Sequence, residues 1–267
     1  MDILKIICNE HLLYRKQIVR LAKSDLVKTY RGSALGWSWA FIKPMVTIFV
    51  YWFAFSYGIR TGGDVDGYPF FLWLIAGFVP WFYMSEMITQ GAGCMRSNRH
   101  LITKMKFPVS VIPTFTSLSK LTVHLILMAV TIVIFIAFGY MPDKYFIQLP
   151  LYMLMMFTFF TFWGLFAGML SAISKDFLNL VKSFTTAIFW MSGIIYNVNN
   201  IETQWIRTLL QFNPVTIIAS GYRHVLTDKT WFFEEPVELR NYLILAVMVL
   251  LSAWAYKKLH KDMADVL

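Results

Sequence analysis

Lys23 to Pro44 reads KSDLVKTYRGSALGWSWAFIKP, and its two halves suit different solvents. Lys23, Lys28 and Arg31 charge the first part; from Ala34 onward the chain is aromatic and apolar apart from Lys43. Only Gly32, Ser33 and Gly36 mark the join. Upstream, Ile18, Ala22, Leu26 and Tyr30 recur every four residues on one helical face. Lys16, Arg20 and Lys28 occupy another, joined by Lys23 and Arg31. That pattern predicts an amphipathic helix over 10–31, lying in the interface with its cations toward water and anionic headgroups. At Arg31-Gly32-Ser33 the chain turns and enters the membrane.

The rest of the chain resembles the second half. Its 267 residues are 58% hydrophobic and only 15% charged, where soluble domains carry about 25% charged residues. A helix needs about 20 apolar residues to cross about 30 Å of hydrocarbon. Six spans are read, over 32–59, 67–95, 108–140, 145–174, 183–201 and 241–256. The third is expected to bend at Pro113. The last is short, and Arg240 and Lys257 snorkel at its ends. Thr208 to Tyr222 is uncharged but only 15 residues long, and it holds Gln211, Asn213 and Pro214. It predicts a re-entrant helical hairpin within an extracytoplasmic segment, 202–230, because irregular backbone at membrane depth must be buried or line a wet cavity. The expected fold is thus a single all-α transmembrane domain of six helices, with an N-terminal interface helix and a re-entrant hairpin before the last span.

Six spans return both termini to one side. Sixteen Lys and Arg fall on that side and six on the other, with Lys43 and Lys120 inside spans. The positive-inside rule therefore places both termini in the cytosol. Asp64, Asp66, Glu234, Glu235 and Glu238 lean outward. The net charge of +9 is a topology signal and not a nucleic-acid footprint. The run Ile3 to Cys8 is flanked by Asp2 and Glu10, with no small-residue cleavage site after it, and does not read as a cleavable signal. Cys8 and Cys94 are too few for a disulfide framework and fall on the cytosolic side, where thiols stay reduced. No internal repeat is visible, which argues against a carrier built from inverted repeats.

Tyr30-Arg31-Gly32-Ser33-Ala34-Leu35-Gly36, followed by Trp39 and Pro44, resembles the entry signature of the membrane subunits of ATP-binding-cassette polysaccharide exporters. Further matches follow in order. Lys104-Met105-Lys106-Phe107-Pro108 and Ile112-Pro113 resemble the segment after that family's second span. Asn213-Pro214 and Gly221-Tyr222-Arg223 resemble its extracytoplasmic hairpin, and Met263-Ala264-Asp265-Val266-Leu267 its tail. The stretch Tyr51 to Arg60 is most similar to the wall teichoic acid branch. Where the family often carries Pro, after Ile195-Tyr196, this chain has Asn197.

No G-x-x-x-x-G-K-[ST] phosphate loop occurs in these residues. The resemblance implies that no cofactor is held by this chain and that ATP and Mg belong to a separate ATPase, two copies of which join a homodimer of this chain. It places a coupling helix in the loop holding Arg96, Asn98, Arg99, His100, Leu101 and Lys104, which by composition alone is an ordinary positive-inside loop. In the family the first and fifth spans line the polymer channel. Sugar rings have apolar faces that stack on aromatics, which selects Trp37, Phe41, Trp52, Phe55, Phe189 and Tyr196 from the aromatics that otherwise form belt and core. Asn197, Asn213, Pro214, Tyr222 and Arg223 form the expected extracytoplasmic gate. Lys23, Lys28 and Arg31 are placed to meet a lipid diphosphate, the plainer alternative being attraction to membrane lipid headgroups.

Charges inside spans are expensive and usually functional. Glu86 and Lys120 read as a buried ion pair, with a proton relay as the alternative; His124 reads as a satisfied bundle residue and Lys43 as a snorkelling one. No His/Cys/carboxylate cluster has metal-ligand spacing, and no Ser/His/Asp arrangement is recognisable. The reading is a permease that exports a polyprenyl-diphosphate-linked polymer across the cytoplasmic membrane, wall teichoic acid ahead of O-antigen or capsule. Two rivals stand beside it. A membrane-embedded transferase acting on lipid-linked sugars would need a polar catalytic cluster at one interface. An ion-coupled carrier would use Glu86, Lys120 and His124.

Overall fold

The computed structural model describes residues 2–59, 64–65, 67–105, 107–234 and 238–267. Arg60, Asp66, Lys106 and Glu235, used above for topology or as motif positions, lie outside the described residues, as does the side chain of Glu238. The described residues are helical except for turns and one isolated bridge, Val65 to Tyr68. Among the described residues, five stretches are long and apolar enough to cross a membrane: Gly36–Gly58, Phe70–Thr103, Val111–Ala137, Lys144–Ile173 and Tyr242–Leu259.

Two helices precede the first of these, α1 (Asp2–Leu13) and α2 (Arg15–Tyr30). The expected interface helix thus starts earlier and kinks at Tyr14, whose ring meets Phe107 edge-on at 5.0 Å. Ile18, Ala22 and Leu26 are the buried residues of α2, the face the four-residue spacing predicts. Protein covers part of that face: Ile18 and Ala22 pack with Cys94, Met95, Leu101 and Phe115 in one cluster. Lys16, Arg20, Lys23, Lys28 and Arg31 stay exposed.

The first span is α3 (Trp39–Phe53), entered through a 3-10 turn and extended by a π turn over Ala54–Ile59. The second is α4 (Phe70–Glu86), a π turn over Met87–Gly91 and α5 (Ala92–Ser97), followed by the short α6 (Arg99–Thr103). Leu72 through Val79 of α4 are buried on every face, which makes α4 a central helix. It packs against α7 (Val111–Ala137) and α3, while the π turn and α5 that continue the same span pack against α8 (Leu149–Ile173), on which α12 (Glu238–Leu259) also lies. Pro113 does not bend the third span. It lies in the first turn of α7, where the missing N–H would have had no helical partner.

The expected fifth span differs most. Its helix, α9 (Lys175–Trp190), begins directly after α8 and ends well before residue 201. Sixteen residues make about 24 Å of helix, short of the hydrocarbon thickness. The chain turns at Gly193, which has a φ of 63°, and a Cβ there would meet Val198 Cγ2 at 2.4 Å. Two further helices, α10 (Gln204–Gln211) and α11 (Pro214–Leu226), form a hairpin, and α11 lies against α4 and α8. A last turn, α13 (Met263–Val266), returns to α6 and buries Met263 in the cluster of Leu101 and Ile102.

Candidate functional site

A cavity of about 500 Å³ opens between the end of α2, the start of α3, α4 and α7. Lys120 of α7 is 3% exposed, and its Nζ lies 3.4 Å from Glu86 Oε2; Glu86 is 40% exposed and lines the cavity. The two intraspan charges therefore pair, with only the cation fully buried. An ammonium so placed would be costly without its carboxylate. Lys43 is exposed and also lines the cavity. The walls include Tyr30, Trp39, Trp81 and Tyr83. Tyr30 stacks on Trp37 at 5.1 Å, and burial, aided by the charge of Glu86, pushes its hydroxyl up to about 12, so it stays a neutral donor. Beside the cavity, Arg20, Lys23, Lys28 and Arg31 flank an open groove of about 470 Å³ on α2.

His124, one turn along α7 from Lys120, borders the same cavity and shares a 2.7 Å hydrogen bond with Tyr222 Oη of α11. It is buried and bonded through Nε2, but the expectation of a satisfied residue is met at that nitrogen alone, since Nδ1 has no hydrogen-bond partner among the described residues. The bond also ties the inner cavity to the hairpin. The neighbouring Arg223 is 4% exposed and donates to the carbonyls of Gly193 (2.7 Å) and Ile194, while its guanidinium carbon lies 3.5 Å from the centroid of the Trp73 ring. Asn213 caps α11 by accepting from Val215 N at 3.0 Å and donates to Met191 O at 3.2 Å. Pro214 opens α11 at the first helical position, where proline is favoured. Of the expected gate residues, Asn213 and Arg223 thus converge on the turn that ends α9, whereas Tyr222 turns to His124 of α7. Asn197 stands in that turn and caps its own 3-10 helix by accepting from Asn199 N. Two glycines create the room. A Cβ on Gly77 would lie 2.5 Å from Arg223 Nη2, and one on Gly221 would strike the Tyr152 ring at 2.3 Å.

The aromatic residues expected in a channel do not share one surface. Phe189 is buried, 5.3 Å from both Tyr51 and Trp81 and 5.6 Å from Phe78. Phe41, Trp52 and Phe55 are half-buried and pack against the core around α4. Tyr196 is half-buried and donates to Trp190 O at 2.9 Å, while Trp37 is exposed. The uncovered stripe of α3 is Phe49, Phe53 and Tyr57, four residues apart, with exposures of 55–72%. Of the chosen set, Phe41, Trp52 and Phe55 lie on the side of the first span that packs against the core; periodicity finds both stripes and cannot say which one the core covers.

The six expected coupling residues also divide. Arg96 donates to the Ser171 and Ala172 carbonyls and closes the C-terminus of α8, where a cation is favoured. Asn98 donates to Cys94 O, and Leu101 is buried in the core. Arg99, His100 and Lys104 are exposed and free to meet a partner. Sequence reasoning missed Tyr30, Trp39, Trp81 and Gln90 as cavity residues. The available signal was the pair of opposite charges in two apolar spans, since any wall around them has to be partly polar.

The comparisons agree with this architecture. Residues 16–227 match the family model of the ABC-2 type transporter. The chain is 26% identical over 243 residues to an O-antigen export system permease protein of Myxococcus xanthus, covering 91% of this chain and 90% of that one. A Klebsiella pneumoniae protein described in the same words is 25% identical over 255 residues, 94% of each chain. A match over most of the chain, on a bundle of long apolar helices, identifies it: the chain belongs to the ABC-2 type transporter family.

Proposed function

We propose that this chain is the membrane subunit of an ATP-driven exporter of a lipid-linked surface polysaccharide. The carrying observation is the match of residues 16–227 to ABC-2 type transporters in a sequence without a phosphate-binding loop. ATP and Mg then belong to a partner ATPase, and the exposed Arg99, His100 and Lys104 are the side chains offered to it. The permease acts as a homodimer with two ATPase subunits in the cytoplasmic membrane, with both termini in the cytosol. The uncovered aromatic stripe of α3 faces the second copy or the polymer path. Lys23, Lys28 and Arg31, with Arg20, receive the lipid diphosphate at the inner leaflet. On this reading α9 serves as a short fifth span, and α10 and α11 as the re-entrant gate.

Two observations favour different polymers. The names of the relatives support O-antigen, whereas the stretch Tyr51 to Arg60 supports wall teichoic acid. Complementation of strains lacking one or the other exporter distinguishes them. For the export reading itself, the full complex in proteoliposomes should hydrolyse ATP faster when a polyprenyl-diphosphate-linked polysaccharide is added. A folded chain that copurifies with no ATPase and answers to no such lipid would overturn it.

A further inference from the structure

We infer that the cavity between α2, α3, α4 and α7 is a subsite for one sugar ring, the ring joined to the diphosphate of the lipid-linked substrate. The inference rests on the export reading and adds a recognition site to it. At about 500 Å³ the cavity falls within the range of small-molecule sites, about 300–1,000 Å³. Its walls combine what a sugar presents. Trp39 and Trp81 supply flat apolar surface for the C–H face of a ring, and Gln90, Lys43 and Glu86 supply donors and acceptors for hydroxyls. Glu86 holds Lys120 through one 3.4 Å contact and remains 40% exposed, so its carboxylate keeps acceptor capacity toward the cavity.

Charge decides between a sugar and a phosphate here. The Glu86–Lys120 pair cancels, which leaves Lys43 as the one unpaired cation of the lining among the described residues, and a carboxylate facing any anion. The groove on α2 carries Arg20, Lys23, Lys28 and Arg31, with no carboxylate in its lining among the described residues. A diphosphate is drawn to the groove, and a neutral, hydroxyl-rich ring to the cavity. The two sites adjoin: Thr29 and Tyr30 line the cavity, while Lys28 and Arg31 line the groove. The four positions are consecutive and fall within a single helical turn of about 5.4 Å, which suits a diphosphate and the sugar bonded to it.

The test uses the full complex in proteoliposomes, with the exposed Cys8 replaced by Ser and Ser85→Cys as a reporter in the cavity wall. Maleimide labelling is timed with no lipid, with polyprenyl diphosphate, and with polyprenyl diphosphate carrying one N-acetylhexosamine. The sugar-bearing lipid should slow labelling at least fivefold and the bare lipid less than twofold. Glu86→Gln combined with Lys120→Met, which leaves no uncompensated charge, should abolish the difference. Gln90→Ala, at an exposed position, should reduce it without disturbing the fold. Equal protection by both lipids would overturn the sugar subsite and leave the lipid-diphosphate reading standing. Stimulated ATP hydrolysis without protection by either lipid would do the same. Neither protection nor stimulation would instead remove the export reading on which the subsite rests.

Discussion

Arg223 shows how much one buried charge can organise. A guanidinium in a protein interior is tolerable only when its donors are occupied, and here the Gly193 and Ile194 carbonyls and the face of Trp73 surround it. Arg223→Lys keeps the charge and loses the planar fork. It is expected to cost about 2–4 kcal/mol, on the basis of charged hydrogen bonds worth about 1.5–3 kcal/mol each, read as the melting temperature of the purified chain. Gly77→Ala should be comparably harmful because its methyl would occupy the space of Nη2. In an Arg223→Ala background the same methyl should cost much less, so a double-mutant cycle should show about 1–3 kcal/mol of coupling. Additive effects would mean that the two residues do not share that space. Arg31 poses a similar question on the surface. If it holds phosphate bidentately, Arg31→Lys should lower export several-fold with complex assembly unchanged; wild-type export would make it a generic headgroup anchor.

Between α5 and α7 the loop performs two tasks with neighbouring residues. Leu101 and Ile102 plug the core beneath α2 and α13, whereas Arg99, His100 and Lys104 face out. Leu101→Ala should therefore destabilise the chain by about 2–5 kcal/mol, as large-to-small core changes do. Arg99→Glu with Lys104→Glu should leave the melting temperature nearly unchanged and uncouple ATP hydrolysis from export in the reconstituted complex. If the charge reversal unfolds the chain, or if export persists, α6 is not the contact.

At the scale of the whole molecule, α1 closes one end of the bundle against α7 and α12. Glu10 accepts from Ser110 Oγ at the start of α7 and from Tyr256 Oη of α12 at 2.9 Å, and His11 Nε2 lies 2.7 Å from Thr114 Oγ1. One carboxylate thus joins the first helix to the last span. Glu10→Gln should weaken both bonds and cost about 1–3 kcal/mol, measured by thermal unfolding, with protease sensitivity appearing first near residues 1–14. Topology is tested at the opposite end. Thr227 is 2% exposed and would not report, but Thr208 and Asp228 are exposed at the two ends of the hairpin. Cysteines at both, with Cys8→Ser, should label from the extracytoplasmic side alone. Labelling from opposite sides would make the hairpin a crossing and invert the C-terminal helix.

Composition and hydropathy alone determined that the chain is helical and membrane-embedded, because uncharged runs of such length have few other stable states. The four-residue spacing of Ile18, Ala22 and Leu26 likewise determined which face of α2 is buried. Asn213-Pro214 marked the start of α11, since a cap and a first-turn proline act locally. Local sequence did not reveal that α9 stops at Trp190, because its end depends on Arg223 drawing in the Gly193 and Ile194 carbonyls from another helix. Nor did it tell the covered aromatic stripe of α3 from the open one, or Leu101 from Arg99 as the outward residue. Those choices follow from which neighbour arrives against each face. The cavity depends on the same thing: Glu86, Lys120 and Tyr30 are far apart in the chain, and only the packing of α2, α4 and α7 brings them around one space.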